Sequence, residues 1–313
     1  MPKISVVIPL YNKEKYIERT LNSVLQQTFS DFEVIIVNDA SKDKSLERVK
    51  NIQDKRIRII EHPKNKGLSA ARNTGIHSAL SEIITFIDAD DKWKPFFLSE
   101  ILQLSESFVD CAIYGTDYEI EIDQKRYQTK KNLPTHISSN DQVKIADFFE
   151  ANTHHPIYNY SSVAFKKNVF DKIGGFDTSL DLGEDLDFNI RVNSNFSLAY
   201  CNKACVIYHA DIPEQMTNST IAQKRIIDFK KFDRQAEKNT SLKKYLNSLR
   251  YYYASQFKNY GQQNLFKKFS KEIDFSELSY KQKVMIKSPL WLYRILKKVK
   301  SSLIKKGVHV HPY

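Results

Sequence analysis

Apolar and polar positions in the first ninety residues alternate between two periods. Ile4–Leu10 is an apolar run through Pro9, as in a strand buried on both faces. Residues 14–28 then repeat at helical spacing, with Tyr16, Ile17, Thr20, Leu21, Val24 and Leu25 on one face. Phe32–Val37 predicts a second strand, and Ser41 is placed to cap a helix carrying Leu46 and Val49. Arg56–Ile60, Leu68–Leu80 and Glu82–Ile87 extend the order to βαβαβαβ. That order predicts an α/β fold with a mostly parallel central sheet flanked by helices. Such sheets bind ligands just past the carboxyl ends of their strands. The residues to read closely are therefore Tyr11-Asn12, Asn38-Asp39-Ala40-Ser41 and Asp88-Ala89-Asp90-Asp91.

Further along, Cys111–Tyr118 predicts a strand, Lys130–Asp141 a polar loop, and Ser161–Phe165 another strand. Gly174-Gly175-Phe176-Asp177 reads as a turn, Gly183-Glu184-Asp185 leads into a helix over Leu186–Val192, and Ala199–His209 reads as a further strand. From Gln215 the pattern is helical and rich in Tyr and Lys, ending in Leu290–Lys306. This divides the chain into an α/β domain over 1–212 and a basic helical region over 213–313.

Charge sharpens that division. The 313 residues carry a net +11, yet residues 1–213 sum to −4 and residues 214–313, with 22 Lys+Arg against 7 Asp+Glu, to +15. A nucleic-acid binder is not expected to be divided this way; an acidic catalytic unit with a basic docking segment is. Three cysteines form no disulfide framework, and no apolar stretch is long enough for a membrane span or a signal peptide. The expectation is a cytoplasmic protein. On a helical wheel Leu292, Ile295, Leu296, Val299 and Leu303 share an arc opposite Arg294, Lys297, Lys298 and Lys305, with Trp291 and Tyr293 near its start. An apolar stripe with a basic reverse face suits a helix lying on an anionic membrane, peripheral at its inner face.

The rim chemistry is specific. Asp88 and Asp90 offer hard oxygen ligands to Mn²⁺ or Mg²⁺, and such an ion stabilises charge on a leaving diphosphate. Asp39 can accept the N3 hydrogen of uracil and Tyr11 can stack on the ring. Arg72, early in a helix after Gly67, can face phosphate oxygens together with helix amides. Asp185 at a helix start would be kept ionised by the dipole and can act as a general base, with Glu184 its neighbour. Trp93 and Asp91, beside the acid pair, are expected near an acceptor.

Ile4-Ser-Val-Val-Ile-Pro-Leu-Tyr-Asn, Asn38-Asp-Ala-Ser, Gly67-Leu-Ser-Ala-Ala-Arg-Asn-Thr-Gly, Asp88-Ala-Asp-Asp, Gly174-Gly-Phe-Asp and Glu184-Asp185, in this order, resemble the inverting family 2 glycosyltransferases of GT-A fold over roughly residues 1–212. The resemblance implies a DxD motif in which Asp90 touches the metal and Asp88 lies nearer the ribose. It also implies a base site at Pro9, Tyr11 and Asp39, an arginine near the donor at Arg72, and Asp185 as the base. Many GT-A enzymes complete the metal site with a histidine in the region of His209. The implied activity is transfer of a sugar from a UDP-sugar to a hydroxyl of a glycan or lipid-linked acceptor, in cell-surface polysaccharide synthesis. The competing class is a catalytically silent, membrane-associated scaffold or glycan-binding protein, against which the intact DxD and Glu-Asp motifs stand.

Overall fold

The structure, a computed structural model, describes residues 1–153, 155–210 and 224–305. It opens with β1 (Ile4–Leu10), α1 (Ile17–Leu25), β2 (Phe32–Asn38), α2 (Ser45–Lys50), β3 (Ile57–Glu61), α3 (Leu68–Ser78) and β4 (Ile83–Phe86). All residues of β1, β2 and β4 are buried, as their unbroken apolar character requires of strands covered on both faces. β1 runs parallel to β2 through its whole length but to β4 only over Ile4–Val7. Beyond that point β1 and β4 part. Pro9, which has no N–H to offer a neighbour, lies in this open end.

The chain continues through β5 (Lys92–Trp93), α4 (Phe97–Ser107), β6 (Ile113–Ile122), β7 (Lys125–Gln128), β8 (Gln142–Ile145), α5 (Phe148–Ala151), β9 (Val163–Lys166), α6 (Asn168–Ile173), α7 (Glu184–Asn193) and β10 (Leu198–His209). The strands form one sheet ordered β3-β2-β1-β4-β9-β6-β10-β5, with β7 on β6 and β8 on β10. Parallel pairing holds from β3 to β4 and gives way at β9, which runs antiparallel to both β4 and β6. The helix expected to start near Ser41 begins only at Ser45. Ser41 Oγ instead accepts the Asn12 N–H at 3.1 Å, and Asp43 accepts the Ser45 N–H.

The chain forms two compact units, Met1–Phe148 with Ile157–Ile227, and Phe149–Pro156 with Asp228–Tyr313. The first therefore extends past residue 212: Arg225 pairs with Asp181, and Ile227 donates its N–H to the Leu182 carbonyl. The second unit holds α8 (Asp233–Ala236), α9 (Thr240–Asn259), α10 (Gln263–Lys271), α11 (Tyr280–Lys287) and α12 (Leu290–Lys305). Asn239 caps α9, and Ser279 with Gln282 forms a capping box on α11. Phe229, Tyr253, Phe257 and Phe269 make its aromatic core. Tyr293, expected at a membrane interface, is buried instead, donating its hydroxyl to the Ser255 carbonyl.

Gly75 shows how closely α3 packs on the sheet: a Cβ there would lie 2.2 Å from Val7 Cγ1. Gly75→Ala should therefore lower stability by about 1–3 kcal/mol through overpacking, read as a lower thermal midpoint. An unchanged midpoint would mean that α3 and β1 are not in this contact.

Candidate active site

Four segments meet past the carboxyl ends of the parallel strands: the loops after β1, β2 and β4, and the start of α7. Arg72 on α3 joins two of them. It is 1% exposed, and its Nη2 donates to Asp88 Oδ1 at 3.0 Å while Nη1 donates to Asp185 Oδ1 at 2.5 Å. The guanidinium lies over the rings of Tyr160 and Phe176, at 4.7 and 5.1 Å. A planar cation with two donor edges and two apolar faces suits a slot with carboxylates at the edges and aromatic rings on the faces.

Gly183, at φ 91°, turns the chain into α7, so that Glu184 and Asp185 occupy its first turn. Their environments differ. The Asp185 side chain is 41% exposed; the burial of its protein-facing side raises its pKa, and Arg72 opposes that rise. Glu184 is buried, and burial followed by the Asp185 charge pushes its pKa up to about 7. Burial thus raises the pKa of both acids, against the lowering that the dipole argument implied for Asp185. A raised pKa makes Asp185 a stronger base for as long as Arg72 keeps it ionised.

The acids after β4 separate by role. Asp88 is partly exposed. Asp90 is buried, and its Oδ2 lies 2.8 Å from the Lys13 ammonium; burial, then the Asp88 charge, raises its pKa. Asp91 turns away from the rim. Its side chain is fully buried, Oδ2 accepting from Ser161 Oγ and Oδ1 from the His209 N–H, with burial raising its pKa well above the usual range. Trp93 is 1% exposed, donates Nε1–H to the Ser161 carbonyl at 2.6 Å and packs on Phe97. Neither Asp91 nor Trp93 presents a surface to an acceptor. Both hold the loop that carries Asp88 and Asp90.

Asp39 is likewise buried. Its carboxylate accepts from His62 Nδ1 at 2.7 Å and from the N–H groups of Lys66 and Gly67 at 2.9 and 2.8 Å. These bonds occupy three of the roughly four acceptor positions of a carboxylate. Asp39 therefore fixes the loop leading to α3, with about one acceptor position left over. Tyr11, 40% exposed, stands at the rim, with Pro9 buried behind it. His62, Lys13 and Tyr160 escaped the sequence reading; His62 also meets Thr74 Oγ1 through Nε2 at 2.9 Å.

The donor set fits a divalent ion of the Mn²⁺ or Mg²⁺ type in part. Asp88 and Asp90 supply hard oxygens, and Asp90 already pairs with the Lys13 ammonium. Among the described residues no three His, Cys, Asp or Glu side chains converge on one point, so an ion would be completed by ligand oxygens and water. His209 is not gathered into such a group. It is buried at the end of β10 with Nε2 3.1 Å from Glu121.

Residues 5–174 match the sequence profile of glycosyl transferase family 2. The chain belongs to that family. It is 31% identical over 203 residues to the uncharacterized glycosyltransferase EpsJ of Bacillus subtilis, covering 61% of this chain and 56% of EpsJ. It is 36% identical over 121 residues to a B. subtilis protein provisionally named the teichuronic acid biosynthesis glycosyltransferase TuaG, covering 38% and 48% of the two chains. The matches thus span about half the length of these curated relatives. In fold the chain resembles S. aureus TarS 1-349 in complex with UDP-GlcNAc, at TM-score 0.58 and 22% identity over 70% of this chain and 62% of that one. The fold is of the GT-A type.

Glu184 gives this site a pH signature. Its pKa is raised from 4.5 to about 7, so between these values the folded protein binds more protons than the unfolded chain. Stability should fall as pH rises through that window. Glu184→Gln removes this dependence and should be the more stable protein at pH 8, by about 1–3 kcal/mol relative to its difference at pH 5. Thermal midpoints of both proteins at the two pH values measure it. The same gap at both would show that Glu184 titrates normally.

Proposed function

We propose that the protein is an inverting glycosyltransferase that moves a sugar from a UDP-sugar to a hydroxyl of a glycan or lipid-linked acceptor in cell-surface polysaccharide synthesis. The observation that carries this reading is the Arg72 clamp, which holds the partly exposed Asp185 next to the acid pair after β4. Family membership supports the reaction class, the UDP-GlcNAc complex of TarS the donor class, and the name of TuaG the polymer.

The acceptor hydroxyl is positioned at Asp185. As its oxygen bonds to the anomeric carbon, the bond from that carbon to the diphosphate oxygen breaks and Asp185 takes the hydroxyl proton. Attack opposite the leaving group inverts the configuration. Asp88 and Asp90 would hold Mn²⁺ or Mg²⁺, which supplies positive charge near the diphosphate when bound. Tyr11 stacks on the nucleoside base at the rim, above the loop ordered by Asp39, and Arg72 keeps the carboxylates in register during turnover.

Asp185→Asn preserves shape and a hydrogen bond to Arg72 while removing the base. Transfer should fall by about 10²–10⁴ with UDP affinity in Mn²⁺ nearly unchanged, by product assay and calorimetry. Near-wild-type turnover would move the base to Glu184. EDTA or Asp90→Asn should weaken UDP binding in the same calorimeter, and equal affinity with and without ion would remove metal from the scheme.

We also place the enzyme at an anionic membrane surface, peripheral to its inner face, through α12. Trp291 and Ile295 are 65% and 50% exposed one turn apart, beside exposed Arg294. Val299, Leu303, Lys298 and Lys305 lie outside the residues whose side chains are described. Among the described residues no helix is long and apolar enough to cross a membrane. Trp291→Ser with Ile295→Ser should reduce sedimentation with phosphatidylglycerol vesicles severalfold at low salt. Undiminished sedimentation would remove α12 as the attachment.

A further inference from the structure

The second unit contains a cavity of about 570 Å³ lined by Lys230, Asp233, Arg250, Lys267, Lys268, Lys271 and Glu272, with Asn264 at its edge. Five cations face two acids. Arg250 is spent on Asp233 through Nη2 at 2.5 Å, whereas its Nε, buried, has no hydrogen-bond acceptor and stands 3.7 Å from Glu272. Glu272 is shared between that nitrogen and Lys230, at 3.5 Å, so it compensates each loosely. Lys267, Lys268 and Lys271 have no acidic partner among the described residues; Lys268 lies over the Phe269 ring. Lys267 and Lys271 are four residues apart on one face of α10, where like charges repel. Among the described residues, no carboxylate pairs with any of these three ammonium groups.

We propose that this cavity binds a phosphate ester or diphosphate, as the headgroup of a lipid or as a soluble molecule. The uncompensated charge calls for a multivalent anion, and phosphate groups carry about −1.5 to −2 at neutral pH. Three ammonium groups, each with three rotatable donors, match tetrahedral phosphate oxygens. A carboxylate would be better served by a bidentate guanidinium, and Arg250 is already engaged with Asp233. The site stands independently of the transfer reaction, since none of its residues belongs to the first unit.

The test is calorimetry of the full chain with inorganic pyrophosphate in EDTA at low salt. The variants are Lys267→Ala with Lys271→Ala and, as a charge-matched control, Lys238→Ala with Lys281→Ala. All four side chains are exposed, so both proteins should fold. Pyrophosphate affinity should drop at least tenfold in the first and stay within twofold of wild type in the second. A second arm compares vesicles containing phosphatidic acid, a phosphate monoester, with phosphatidylglycerol vesicles of equal charge. Preferential sedimentation with phosphatidic acid, lost in the first variant only, identifies a lipid source, whereas pyrophosphate binding without that preference identifies a soluble one. No pyrophosphate binding by wild type, or equal loss in both variants, overturns the proposal.

Discussion

A single buried cation organises the site. Arg72 is the residue on which the acids after β4 and at the start of α7 depend, because Asp88 and Asp185 both point at it. Taking a guanidinium out of water is costly unless its charge and donors are met, and here two carboxylates and two aromatic faces meet them. The dependence is reciprocal. Without Arg72, Asp88, Glu184 and Asp185 would lose the buried cation that two of them share and would repel one another more strongly. The clamp therefore ties the position of α3 to that of α7 and opposes the rise that burial imposes on the pKa of Asp185.

Around that clamp the rim is laced by side chains bonding to backbone, which makes its loops part of the scaffold. Asn12 accepts from Lys42 N–H and Ser45 from Lys13 N–H, joining the turns after β1 and β2, and Asp39 binds the loop before α3. Ala40 sits at φ 58°, a left-handed conformation that costs an alanine about 1–2 kcal/mol. It persists because the bonds of Asn38 and Asp39 on one side and Ser41 on the other determine the backbone there. Rigid loops of this kind present a ligand with a surface whose ordering has already been met in folding.

The parallel half of the sheet was legible because its strands are unbroken apolar runs between amphipathic helices, a pattern with few alternative arrangements. β5, β7 and β8 were not. They are two to four residues long, largely polar, and exist through pairing with β6 and β10, which no local signal announces. That Asp88, Asp90, Glu184 and Asp185 come near Arg72 follows from their places after β4 and at the start of α7, whereas the surroundings of their neighbours were less legible. Asp91 and Trp93 were read as site residues because they adjoin Asp90 in sequence. A turn sends neighbouring side chains in opposite directions, and these two point into the core. For Asp39 the sequence leaves two roles open, since a carboxylate after a strand serves a ligand or its own loop equally well, and the structure bonds it to His62 and Gly67, more than twenty residues away. Lys131 repeats the lesson in the polar loop after β7. It lies buried against Asp117 and over the Tyr118 ring, and burial lowers its pKa to about 8.

The charge division of the chain acquires a physical meaning from these details. In the first unit acids outnumber bases, and at the site they are compensated by few, well-placed cations at 2.5–3.0 Å. In the second unit bases outnumber acids, and many are left in solvent or around a cavity with loose partners at 3.5–3.7 Å. Short-range pairing survives salt, whereas uncompensated surface charge acts only within a Debye length of about 8 Å at physiological ionic strength. The two halves consequently answer to different conditions. Close pairs such as those of Arg72 are screened less by salt than the loosely partnered charges of the basic unit.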